Sequence, residues 1–108
     1  MYYTSKGLPQ DYKQAATWLR KSAQQGQADA QHLLGLMYLY QIGVPQKDSV
    51  IAYMLWNLSA AGGNSDAVEL RSLLVKKMSA SQVEEGQSLS SGWRPGTPLP
   101  TSSRTGVE

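Results

Sequence analysis

The chain of 108 residues carries ten Lys and Arg against eight Asp and Glu, a formal charge of +2, with 41% apolar and 17% charged residues. That is the composition of one small globular domain, and its basic residues are scattered, so nucleic acid is not an expected partner. No stretch reaches the roughly 18 apolar residues of a membrane span, and without cysteine there can be no disulfides, thiolate catalysis or thiolate zinc sites.

The start, Met1-Tyr2-Tyr3-Thr4-Ser5-Lys6, lacks the basic-then-apolar order of a signal peptide, so a cytoplasmic protein is expected from the chain as written. A signal peptide lying upstream would make it periplasmic or secreted. From Asp11 to Gln25 the small and apolar positions Tyr12, Ala15, Ala16, Leu19, Ser22 and Ala23 follow a helical rhythm, with Trp18 beside them. Asp11 reads as the N-cap of this helix, and Gly26 as the residue just past its end.

A second helix is predicted from Ala28 to Tyr40 on Ala30, Leu33, Leu34, Met37 and Tyr38. Asp48 then caps a third, to about Ala61, whose residues are apolar nearly all round, which predicts a helix between neighbours. A fourth, about Ser65 to Lys77, keeps Ala67, Leu70, Leu73 and Leu74 on one side and Glu69, Arg71, Lys76 and Lys77 on the other. Ser79-Ala80-Ser81-Gln82 is a capping-box sequence and opens a fifth, to about Ser91. This sparsely apolar helix is expected to form a C-terminal cap over residues 79–93. From Arg94, prolines and glycines alternate with Ser and Thr, which predicts a disordered tail over residues 94–108.

The chain repeats itself. Gly7-Leu8-Pro9-Gln10 recurs as Gly43-Val44-Pro45-Gln46, and one residue later Asp11, Ala15, Ser22-Ala23, Gly26 and Asp29-Ala30 match Asp48, Ala52, Ser59-Ala60, Gly63 and Asp66-Ala67. A period of 36 to 37 residues is that of a helix pair with two turns, the unit of an α-solenoid. The expected fold is all-α, a superhelix of about two and a half repeats over residues 1–78 with the cap behind it.

These residues resemble the Sel-one-like repeat family, a relative of the tetratricopeptide repeats. Its unit, Ala-x-x-Leu-Gly-x-x-Tyr, Gly-x-Gly-Val, Asp, Ala-x-x-Trp and Ala-Ala-x-x-Gly, is carried by Ala30, Leu33-Leu34-Gly35, Tyr38, Gly43-Val44, Asp48, Ala52, Ala60 and Gly63. Trp56 stands one position from the family's tryptophan, and Gln41 stands where the family has its first loop glycine. Gly35 and the small alanines are expected to let helices approach closely. Met1-Tyr2 aligns with Met37-Tyr38, so the counterparts of Ala30 to Leu36 are absent, and the array is expected to begin mid-helix, as a fragment or as a gene that starts there. Self-association through that exposed N-terminal edge is expected with it.

Candidate chemistry is sparse. His32 has Ala28 and Leu36 as its i−4 and i+4 neighbours and is expected on the helix surface rather than on a metal; Glu84-Glu85 diverge around their helix; no phosphate loop is present. Lys76-Lys77 with Arg71 match a helix C-terminus. Trp18, Tyr38, Tyr53 and Trp56 are expected in the core. Leu36, Leu39 and Tyr40 are surplus to the repeat and form the expected partner-binding positions, since the first helix of a solenoid unit tends to line the concave face. The resemblance implies a bacterial, non-enzymatic scaffold or adaptor that binds a protein or peptide without cofactor or metal. The alternatives are a β-lactam-binding or hydrolysing relative, which the lack of cysteine disfavours, and a truncated remnant without independent function.

Overall fold

The computed structural model describes residues 9–105 as five helices and no strands: α1 (Pro9–Gln24), α2 (Ala28–Tyr40), α3 (Ser49–Ala61), α4 (Ser65–Val75) and α5 (Ala80–Gly92). The expected mid-helix beginning of the array, and the edge for self-association, lie in residues 1–8, outside the described ones. Helix α1 begins at Pro9, two residues ahead of the expected cap at Asp11, because a proline fits a first turn where its missing N–H has no partner to lose.

Three helix starts and two helix ends are built from the residue types their geometry favours. Asp48 accepts from the Ile51 amide at 3.0 Å to start α3, and Asn64 from the Ala67 amide at 2.9 Å to start α4. At α5 the capping box is complete: the Gln82 amide donates to Ser79 Oγ at 3.1 Å and the Ser79 amide to Gln82 Oε1 at 3.0 Å. Gly26 and Gly63 take φ of +94° and +100°, and the amides after them, Gln27 and Asn64, reach back to the Ser22 and Ser59 carbonyls. The same 6→1 turn thus closes α1 and α3, at the two positions the repeat aligns.

Short turns bring each helix back on the one before, so that α1 packs on α2, α2 on α3, and α3 on both α4 and α5. The near-continuous apolar surface of α3 is thereby consumed: every residue from Val50 to Trp56 is buried. Trp56, only 1% exposed, reaches across to α2, where its Nε1 donates to the His32 carbonyl at 3.1 Å. Gly35 makes room for it, since a Cβ there would stand 2.6 Å from that same Nε1. Truncating a buried indole of this kind removes about 3–5 kcal/mol.

Several expectations fail, each for a reason of geometry. Trp18, expected in the core, is 65% exposed, because α1 packs chiefly on α2, whereas its repeat counterpart Leu55 lies on α3 and is covered. Leu73 is 54% exposed: Ala67, Leu70 and Leu74 share the stripe that turns inward on α4, and Leu73 lies about 100° around from Leu74. Residues 94–105, expected to be disordered, are ordered against the helices. A turn over Arg94–Thr97 is tied to Trp93 Nε1 and to the Gln24 carbonyl, and Leu99 is only 5% exposed within the core cluster. Low apolar content argues for disorder only when no apolar residue finds a seat, and here one leucine finds it. The last part of the expected tail, residues 106–108, lies outside the described residues.

Candidate functional site

On α1 the residues Lys13, Ala16, Thr17 and Arg20 stand at i, i+3, i+4 and i+7 and therefore form one face. Leu34 and Tyr38, one turn apart on α2, lie opposite them, and the turn Gly43-Val44-Pro45 closes one side. Together with Thr101 they enclose a groove of about 450 Å³. Gly43 fixes the position of that turn: its φ is +71°, and any Cβ would collide with the Tyr12 carbonyl on α1, so the chain touches the helix where only glycine fits.

Arg20 is the pivot of the groove. One guanidinium nitrogen donates to the Tyr38 hydroxyl, another to the Leu99 carbonyl at 3.0 Å, and the group lies 5.8 Å from the centre of the Tyr38 ring. Burial pushes the Tyr38 phenol above its ordinary value; the positive charge of Arg20 opposes this without cancelling it, and the nearby Asp48 adds to the rise. Tyr38 is therefore a neutral phenol at ordinary pH. Both partners of Arg20 are uncharged, so its positive charge is not neutralised there. Lys13 stands on the same face, and among the described residues that line the groove none is acidic, Asp48 lying buried behind it, so the groove offers two positive charges to an anionic or carbonyl-rich ligand.

Asp48 lies behind this face, fully buried. Besides capping α3, its carboxylate accepts from the Ser103 amide at 2.7 Å and from the Ser103 hydroxyl at 2.8 and 3.0 Å.

The three positions expected to bind a partner do not come together at the groove. Leu36 and Leu39 are half-buried against the core, while Tyr40 is 64% exposed at the end of α2. His32, expected on the helix surface, is half-buried with its ring tilted 35° to Trp56 at 6.3 Å, because the close approach at Gly35 brings the indole over α2. Its Nδ1 is buried without a hydrogen-bond partner. Among the described residues no group of three or more His, Asp or Glu side chains is placed to hold a metal ion, and no helix is long and apolar enough to cross a membrane. Nothing in the sequence says that the turn at residues 43–45 closes over the face of α1 that carries Lys13, Thr17 and Arg20.

The model of the Sel1 repeat matches residues 1–27 and again 28–64. The chain belongs to the Sel1 repeat family. No curated protein and no solved structure matches it. The two matched stretches end directly after the left-handed glycines Gly26 and Gly63, so both close on the same turn, and the second of them holds the helix pair α2 and α3. Sel1 repeats are generally protein-interaction modules and typically non-enzymatic. The groove joins the two matched copies, taking one wall from α1 and the other from α2 and its following turn.

Proposed function

We propose that the chain is a non-enzymatic scaffold or adaptor that grips an extended, acidic segment of a protein partner in the groove between α1, α2 and the 43–45 turn. The observation that carries this reading is the lining itself. Lys13 and Arg20 supply two positive charges, Leu34, Val44 and Pro45 an apolar floor, and no carboxylate is among the described lining residues. A solenoid offers such a surface between successive units, and a segment laid along it gains apolar contacts at the centre and charge pairing at the rim.

Fluorescence anisotropy with labelled acidic decapeptides tests the reading. Lys13 is exposed, so Lys13→Glu leaves the fold intact while reversing the rim charge, and it should weaken binding about fivefold to tenfold. Affinity should also fall as salt is added. Binding to every such peptide that is indifferent to the charge reversal, or no binding at all, would refute it.

A further inference from the structure

The segment Pro98–Thr105 is held in an unusual way. Six of its main-chain groups bond to side chains of the helical body rather than to other backbone. The Leu99 amide donates to Gln24 Oε1 at 3.0 Å, and the Leu99 carbonyl accepts from Arg20. The Ser103 amide donates to Asp48, the Arg104 and Thr105 amides to the Glu85 carboxylate at 2.8 and 3.0 Å, and the Thr105 carbonyl accepts from Gln82 Nε2 at 2.9 Å. Helix side chains reading an extended backbone are a mode of peptide recognition, and none of these bonds requires the segment to belong to the same chain.

Three side chains add selectivity. Leu99 enters the core cluster, Ser103 Oγ bonds to the buried Asp48, and Thr105 Oγ1 bonds to Glu85 at 2.6 Å. Pro98 and Pro100 flank the leucine and restrict the backbone before it binds, which lowers the ordering cost. We infer that this seat is a peptide site filled by the chain's own segment, and that it accepts from a partner protein an extended segment with a proline-flanked leucine, a serine four positions later and a threonine six positions later. The tethered segment competes at an effective concentration on the order of millimolar, so the partner gains access when it is locally concentrated or when the segment is loosened. The inference rests on the reading of the chain as an interaction module, and its seat adjoins the groove, with Arg20 common to both and Thr101 in the groove lining; Lys13→Glu alters the groove's rim and leaves all five of these gripping side chains in place.

The test uses the full chain and a fluorescein-labelled peptide Thr-Pro-Leu-Pro-Thr-Ser-Ser-Arg-Thr, copied from residues 97–105. Leu99→Asp in the full chain should loosen its own segment, and this variant should bind the peptide at least tenfold more tightly than the unaltered chain. The peptide with Asp in place of its leucine should bind neither. Should Leu99→Asp cost helicity by circular dichroism, Ser103→Ala makes the same comparison with the core left filled. Hydrogen exchange on the unaltered chain adds a reading independent of any variant: the amides of Leu99, Ser103, Arg104 and Thr105 should exchange by local opening, well ahead of those of α3. Equal binding by the loosened and unaltered chains, or exchange of these amides only together with α3, overturns the inference. Dimerisation of the unaltered chain that the peptide cannot compete away also overturns it, in favour of a segment swapped between two copies.

Discussion

Gln41 shows most directly what a single residue costs this fold. It closes α2 with φ of +54°, and the Ile42 amide reaches back to the Met37 carbonyl at 2.9 Å, the same 6→1 turn that Gly26 and Gly63 make after α1 and α3. A side chain in the left-handed region costs about 1 kcal/mol or more, and the compensating bond from Gln41 Nε2 to the Pro45 carbonyl is long, at 3.3 Å, and exposed. Gln41→Gly should therefore stabilise the protein by about 0.5–1 kcal/mol, after the greater freedom of glycine in the unfolded chain is subtracted. A urea unfolding midpoint that falls rather than rises would contradict this. The tryptophans make the complementary point. Trp56 stands one position away from the family's register, yet it is the residue that fills the gap over Gly35, while Trp18, in register, lies on the surface with Lys21 Nζ 5.0 Å from its ring centre. Sequence shows that a tryptophan belongs near that turn of the helix; which of two adjacent positions points inward depends on what covers the helix.

At the scale of elements, helix ends were the most legible feature, because a cap is a local bargain between a side chain and amides three residues away. Asp48, the Ser79–Gln82 box and the glycines at 26 and 63 all stand where spacing places them. The face a helix buries was less legible: Leu73 fits an apolar count but not the stripe facing α3. The link between α5 and residues 103–105 was not legible at all, since it joins a helix side chain to main-chain amides about 20 residues on. Its strength should depend on pH. Desolvation raises the Glu85 carboxyl, but the Arg104 amide, the hydroxyl and amide of Thr105 and the Arg104 cation together outweigh it, leaving the group below its usual value. A carboxyl lowered on folding stabilises above its unfolded value, near 4.3, and loses that contribution as pH falls through the folded one. Protection factors of the Arg104 and Thr105 amides should accordingly drop below about pH 4 ahead of those in α3, and Glu85→Gln should remove most of this dependence. Protection of these two amides that stays level through that range would show that the carboxylate does not hold them.

For the whole molecule, α3 is the element around which the rest is arranged, and its apolar circumference made that legible in advance. The repeat, its period and its all-α character could likewise be read from residue identities, because each copy must bury the same faces against its neighbours. The groove could not, because its walls come from two copies and from the far C-terminal segment, and sequence spacing carries no information on such a junction. We propose this junction, with Lys13 and Arg20 on one wall and Tyr38 and Val44 on the other, as the place where a partner segment binds. Titrating the isotopically labelled protein with an acidic peptide and following amide chemical shifts tests that claim most directly. The shifts should concentrate at Lys13, Thr17, Arg20, Val44 and Thr101; shifts confined to α4, or spread evenly without saturation, would contradict it.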